Sequence, residues 1–159
     1  MPERSHFYLR DPVAPAPNLP RRIGVLALIE RDRSLLLERR ADAPLWSLIG
    51  GGVDDTETLA DALRREVDEE TGLTVSAFRL FGTFSDPTRI VRYPDGKVFS
   101  VAAFAYQVDV ASFDGLRASA ESEELRFFPR DELLGLDIPA TQRPIIERFV
   151  SAATPPFLE

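Results

Sequence analysis

The chain of 159 residues contains no cysteine, one histidine and one tryptophan. The absence of cysteine excludes disulfide bonds, zinc sites built on thiolates and thiol nucleophiles. No apolar run approaches the roughly 20 residues that span a membrane as a helix, and the first residues lack a signal-peptide pattern. We therefore expect a cytoplasmic protein with no membrane partner.

Basic residues are scarce relative to acidic ones, with 19 lysines and arginines against 26 aspartates and glutamates and a formal net charge of -7. This balance disfavours a general affinity for nucleic-acid backbones. We expect a small molecule as the partner rather than a nucleic-acid polymer, and metal cations wherever the acidic residues cluster.

Prolines concentrate at the start of the chain, where five lie within the first twenty residues. Because proline disfavours helix, we predict an extended arm over residues 1–20, a single domain over 21–153 and a short tail over 154–159. The lone His6 lies in this arm, and we expect it at the surface without a catalytic role. An arm of this kind suits exchange between subunits, which leaves a homodimer open.

Short apolar runs separated by turn residues predict a sheet, beginning with a hairpin around the turn "RDR". A fifteen-residue segment with amphipathic spacing predicts a helix that Thr56 or Asp55 caps and Gly72 ends. A second helix closes the chain, with Pro144 in its first turn. The predicted strands are Ile23–Glu30, Ser34–Arg39, Leu73–Asp86, Val98–Val110 and Glu124–Phe128, and the helices cover 57–71 and 139–150. This order predicts a mixed sheet between helices.

The first predicted helix carries an unusual density of carboxylates in "RREVDEETG". Glu66 and Glu70 lie about 40° apart around a helix axis, and Glu69 is one turn from Glu66. A solvated acidic face is one interpretation. The three glycines Gly50–Gly52 before the helix, and Arg65, which can hold a carboxylate in place, favour a binding site instead. Oxygen ligands at this density suit Mg²⁺ or Mn²⁺.

The segment "GGVDDTETLADALRREVDEETGL" resembles the Nudix box, Gx5Ex7REUxEExGU with U aliphatic, at every defined position. The matching residues are Gly51, Glu57, Arg65, Glu66, Val67, Glu69, Glu70, Gly72 and Leu73. The flanking "WSLIGG" and "ESEELRFFPRDEL" are similar to the segments around the box in many members. The resemblance covers roughly residues 23–149.

The resemblance implies an α/β/α sandwich around a mixed β-sheet and hydrolysis of a nucleoside diphosphate linked to another moiety X. It implies Mg²⁺ or Mn²⁺ as cofactor and a catalytic set of Glu66, Arg65, Glu69 and Glu121, with Glu66 as first choice of general base. The implied metal ligands are the Gly50 carbonyl, Glu57, Glu66, Glu69 and Glu70, completed by Glu121 or, as second choice, Glu124.

Two positions depart from the family pattern. Ile49 stands where a proline usually precedes the glycines, and Thr56 stands where a glycine is common before the helix. Neither is an implied ligand. Both bear on the rigidity of the loop, and therefore on the aim of the Gly50 carbonyl.

Four residues outside the box are candidates for contact with the substrate. Trp46 can stack on a base or lie in the core, and Arg39 and Arg40 can reach phosphates or remain solvated at a strand end. Arg89 lies in the loop "DPTRIVRYPDGK", which is a candidate rim for the X group.

Three functions stay open on the sequence alone. The first is hydrolysis of a nucleotide sugar, ADP-ribose or a dinucleotide, and the second is hydrolysis of a nucleoside triphosphate. The third is a Nudix-like module that binds nucleotide without turnover. The intact box favours catalysis but does not separate the substrates, because it contacts only the pyrophosphate and the metals.

Overall fold

The apolar runs form a mixed sheet in the computed structural model, which describes residues 3–159; residues 1–2 of the predicted arm lie outside the described residues. The strands are β1 (His6–Tyr8), β2 (Arg22–Arg31), β3 (Ser34–Arg40), β4 (Trp46–Ser47), β5 (Ile49–Gly52), β6 (Val75–Phe84), β7 (Ile90–Arg92), β8 (Val98–Val110), β9 (Ser122–Pro129) and β10 (Phe157–Leu158). The helices are α1 (Leu59–Thr71), a 3₁₀ helix (Arg130–Gly135) and α2 (Arg143–Val150). Within the described part of the chain, no helix has the length and apolar character needed to cross a membrane.

Strand β2 occupies the middle of the sheet. It runs parallel to β8 and antiparallel to β5, so that Gly24 lies between Ala103 on one side and Gly52 on the other. Beyond β8 lie β6 and β7, and the predicted hairpin of β2 with β3 leads to β9. Parallel and antiparallel pairs therefore coexist, which confirms the predicted mixed sheet.

Helices cover both faces of this sheet. On one face, Leu63 and Val67 of α1 are fully buried in a cluster with strand residues such as Ile49. On the other face, Ile145 and Phe149 of α2 pack in a second cluster with residues of β6 and β8. Each fully buried side chain of this size contributes about 1.5–3 kcal/mol relative to exposure. The predicted α/β/α sandwich is confirmed.

Helix α1 begins two residues later than the sequence predicts. The hydroxyl of Thr58 accepts from the backbone N–H of Asp61, while the Asp61 carboxylate accepts from the N–H of Thr58. This reciprocal capping box makes Thr58 the N-cap, so the prediction of Thr56 or Asp55 was wrong. The predicted end is correct, since Gly72 adopts φ 72° and donates to the Asp68 carbonyl.

The arm and the tail both pack on the domain. Strand β1 pairs with β7, which lies in the segment that the sequence marked only as a loop. The Oδ1 of Asn18 accepts a hydrogen bond from the backbone N–H of Val98. Strand β10 pairs in parallel with β6. Segments that the sequence sets apart from residues 21–153 therefore contribute two strands to the sheet.

Candidate active site

A cavity of about 680 Å³ opens where β5 and α1 meet the central strands. This volume lies in the range of small-molecule binding sites. Among the lining residues, the acidic side chains near the box are Glu38, Glu66, Glu70 and Glu121, and the arginines are Arg22, Arg40 and Arg89. The cavity therefore joins Glu66 and Glu70 of α1 to residues on six strands, β1, β2, β3, β5, β7 and β8.

At two of the three glycine positions of β5, neighbouring atoms leave no room for a side chain. Gly50 has φ 153°, a conformation that other residues rarely adopt, and a Cβ there would overlap the Val25 carbonyl oxygen. A Cβ on Gly51 would lie 2.6 Å from Cδ of Glu66, whereas one on Gly52 would meet nothing within 4 Å. The carboxylate of Glu66 thus rests directly against bare backbone at Gly51.

Arg65 organises the acidic residues at the start of the cavity. Its Nε and Nη2 donate to the two carboxylate oxygens of Glu57 at 2.7 and 2.8 Å, and its Nη1 donates to Glu66 at 2.8 Å. Its Nη1 also lies 3.3 Å from Glu69, and its Nη2 donates to the Gly52 carbonyl. The bond to Arg65 lowers the pKa of Glu57 to about 2. One guanidinium therefore fixes three carboxylates relative to the glycine strand.

Glu70 and Glu38 form the buried part of the acidic set. The N–H of Gly50 donates to Glu70 at 2.8 Å, and the hydroxyl of Ser122 donates to Glu38 at 2.6 Å. Burial is the main cause that raises the pKa of both carboxyls, and the negative charge of Glu38 adds to the effect on Glu70. Burial also raises the pKa of Glu66. Bringing a cation to this end of the cavity would relieve the repulsion.

The donor chemistry suits a hard divalent cation, because every candidate ligand is an oxygen. Over residues 3–159, however, no three acidic or histidine side chains surround one point at ligand distance. Arg65 occupies one oxygen of Glu66, and Gly50 occupies one oxygen of Glu70, which leaves each carboxylate a second oxygen. The donor chemistry therefore fits such a cation, to which the second oxygens of Glu66 and Glu70 would be available.

The implied ligands divide into cavity residues and rim residues. Gly50, Glu66, Glu70 and Glu121 line the cavity, and Glu57 reaches it through Arg65. The side chain of Glu69 is 58% exposed and contacts Arg65. Glu124 pairs with Arg126 on β9 and does not line the cavity. Glu121 is therefore the better placed of the two acids outside the box.

The four candidate substrate residues also divide. Arg40 and Arg89 line the cavity, whereas Arg39 pairs with Glu123 outside it. Trp46 is buried in the core, with its ring 4.7 Å from that of Phe128 in an edge arrangement. The structure thus brings two of the four to the site.

The lining residues that the sequence analysis missed include Phe7, Arg22, Glu38 and Tyr93. Glu38 had a detectable signal, because a carboxylate within the buried strand "SLLLER" needs partners or a function. Phe7 had none, since its approach to the cavity depends on β1 pairing with a distant strand.

The chain matches one family model and is similar in sequence to several proteins of known name. The NUDIX domain family model matches residues 19–149. An ADP-ribose pyrophosphatase of Methanocaldococcus jannaschii is 34% identical over 114 residues, which cover 70% of this chain and 63% of the relative, so the chain spans less than two thirds of that protein. A nucleoside triphosphatase NudI of Escherichia coli is 29% identical over 126 residues, which cover 75% of this chain and 89% of the relative.

Solved structures agree with this assignment. A MutT protein from Methanosarcina mazei superposes with a TM-score of 0.67 at 28% identity, covering 84% of this chain and 96% of that one. The ORF135 protein of E. coli gives a TM-score of 0.65 at 27% identity, covering 86% and 93%. The resemblance of the motif is therefore confirmed, and the chain belongs to the Nudix family of hydrolases.

Proposed function

We propose that this protein hydrolyses the pyrophosphate bond of a nucleoside diphosphate linked to another moiety X, with Mg²⁺ or Mn²⁺ as cofactor. The observation that carries the proposal is the arrangement of Glu66 and Glu70 against the glycine strand, beside a cavity of about 680 Å³. The similarity to a relative named ADP-ribose pyrophosphatase supports this substrate class.

Nudix hydrolases generally use divalent metal ions, and the oxygen donors here suit them. Glu66, Glu70 and the Gly50 carbonyl would hold the ion from the box, with Glu57, Glu69 and Glu121 as further oxygen donors. When bound, the ion supplies positive charge that neutralises the pyrophosphate and favours attack by water on phosphorus.

The chain's own residues then position the reaction. Glu66 accepts the proton of the attacking water, since its carboxylate lies at the cavity wall and Arg65 fixes its orientation. Glu121 is the second choice of base because it lines the same cavity. Arg65 donates to both carboxylate oxygens of Glu57 and to the carbonyl of Gly52, and so fixes the position of helix α1 relative to the glycine strand.

A nucleoside triphosphate is the second candidate substrate. It is favoured by similarity to relatives named nucleoside triphosphatase NudI, of which the chain covers a larger share. The acidic end of the cavity serves either substrate, because both present a pyrophosphate.

A substrate panel tests the proposal. We expect release of nucleoside monophosphate from ADP-ribose, nucleotide sugars or dinucleotides with Mg²⁺ or Mn²⁺, and none with EDTA. Preferential turnover of nucleoside triphosphates would assign the second candidate. Binding of nucleotides without turnover, across the whole panel and with either metal, would reject catalysis in favour of a binding module.

Replacing Gly51 with alanine is expected to lower kcat by about 10²-fold while the protein remains folded. The new Cβ would displace the Glu66 carboxylate, which lies 2.6 Å from that position at Cδ, and a side chain moves more readily than backbone. Steady-state kinetics and a thermal melt of the same preparation measure the two effects. Gly52→Ala is the matched control, because its Cβ enters open space. Equal activity of the two variants would contradict the placement of Glu66.

A further inference from the structure

Arg89 is the one buried residue, within the part of the chain that the structure describes, whose side-chain nitrogens lack partners. It is 3% exposed and lines the cavity. Its Nε and Nη1 have no hydrogen-bond acceptor among residues 3–159. Buried arginines are normally paired, so two unpartnered donors on a side chain that borders a cavity indicate an absent acceptor.

The charge of Arg89 is also left without a counter-ion. The nearest acids are Asp86 and Glu159. Asp86 accepts hydrogen bonds from Nε of Arg10 and from the hydroxyl of Thr88. The carboxylate oxygens of Glu159 accept from Nε and Nη2 of Arg148. An isolated buried cation is costly, and an anion that enters the cavity would compensate it.

Arg89 lies at the end of the cavity opposite the acids. Gly52 pairs with Gly24, Gly24 pairs with Ala103, and the carbonyl of Arg89 accepts from Val101 on that same strand β8. Three steps between strands separate Arg89 from the glycine strand, or about 14 Å at the usual spacing. A substrate whose pyrophosphate lies at the acids therefore presents its far end to Arg89.

A second positive group lies in the same region. Arg22 lines the cavity with its guanidinium 4.3 Å from the centre of the Phe99 ring. Arg40, by contrast, is neutralised by two bonds to Asp42. The cavity thus runs from a negative end at Glu66 and Glu70 to a positive end at Arg22 and Arg89.

We propose that Arg89 binds a phosphate or carboxylate on the part of the substrate distal to the pyrophosphate, and so selects substrates that carry a second anionic group. This rests on the proposed function, because the acids must hold the pyrophosphate for the far end to reach Arg89. A planar guanidinium donates two parallel bonds to either anion. A neutral acceptor, such as a nucleobase edge, would satisfy the donors but leave the charge uncompensated.

Two matched pairs of ligands test the proposal and distinguish its two sources. UDP-glucuronate and UDP-glucose differ in a carboxylate, and NADPH and NADH differ in a phosphate. Calorimetric titration with Ca²⁺ in place of Mg²⁺ measures binding whether or not turnover occurs, so a failure of the proposed function appears separately in the substrate panel. We expect the anionic member of at least one pair to bind about 10-fold or more tightly, with the responding pair identifying the group.

Arg89→Met is expected to abolish this preference while leaving the affinity for the neutral ligand within about threefold. It should also raise the melting temperature of the free protein, since it removes an uncompensated buried charge. A merely structural arginine would instead lower the melting temperature and weaken all ligands equally. Arg92→Met is the control, because Arg92 is exposed at the end of strand β7, three residues after Arg89, and does not line the cavity.

Equal binding within both pairs, or a preference that survives Arg89→Met, would overturn the proposal. A change in the ratio of UDP-glucose to CDP-glucose affinity in this variant, without any anion preference, would overturn it in favour of base recognition. If Arg89→Met does not fold, Arg89→Lys retains the charge without the planar fork and should keep only part of the preference.

Discussion

Glu66→Gln is expected to lower kcat by about 10²–10⁴-fold, the range for loss of a general base. The substitution keeps the size of the side chain but removes the negative charge that Arg65 holds and that a cation requires. Burial raises the pKa of Glu66, so neutralising the side chain should leave the melting temperature unchanged or higher. Kinetics on the preferred substrate, together with a thermal melt, separate loss of function from loss of fold.

Asp68→Asn is the matched control for this experiment. Asp68 lies on α1 two residues from Glu66, is exposed, and gives up the same single charge on substitution. We expect its kcat within about twofold of the unmodified protein, as for surface substitutions away from special features. Full activity of Glu66→Gln would reject Glu66 as base and move the role to Glu121.

Gly50→Ala is expected to lower the free energy of unfolding by about 3 kcal/mol or more. At φ 153° a Cβ is strained, and it would overlap the Val25 carbonyl and lie 2.9 Å from Cα of Leu26. Both neighbours are backbone of the central strand β2, so neither moves without disturbing the pairing with β8. For a chain of this length the loss corresponds to about 6–12 °C in melting temperature.

Chemical denaturation of Gly50→Ala beside Gly52→Ala measures this effect. The two substitutions add the same methyl group two residues apart, but only the Cβ at position 50 would overlap backbone atoms of a neighbouring strand. We expect Gly52→Ala within about 1 kcal/mol of the unmodified protein. Similar stabilities would show that β5 shifts away from β2 at little cost.

The parts of the fold set by local sequence were predictable. Val98–Val110 forms one strand with the predicted bounds, and Gly72 ends α1 in the left-handed conformation. The predicted start of α1 was wrong because several polar residues in "DDTET" can cap a helix. Which of them becomes the N-cap depends on the hydrogen bonds that their side chains make elsewhere. The Glu57 carboxylate is hydrogen-bonded to Arg65, and the capping box is formed instead by Thr58 and Asp61.

The residues of the site outside the box depended on strand geometry. Arg39 and Arg40 were predicted as a pair, yet successive residues of a strand point to opposite faces. Glu38 and Arg40 therefore reach the cavity together, whereas Arg39 points to the far side. Applying this alternation to β3 would have found Glu38 and removed Arg39.

Arg89 shows the limit of sequence reasoning. The sequence predicted it at a loop rim, but it precedes a strand that exists only because β1 and β8 pair with it. Its burial depends on contacts far apart in the chain. The same holds for Ser122, whose bond to Glu38 joins residues 84 positions apart.

The position of Phe7 bears on how this protein's choice of substrate can change. Phe7 lies on β1, in a segment that precedes residues 19–149, yet it lines the cavity and carries the Arg40 guanidinium 5.0 Å from its ring centre. Helix α1 and this part of the cavity wall thus come from separate stretches of chain. A substitution or truncation in the arm would therefore reshape the cavity while every residue of the Nudix box stays the same.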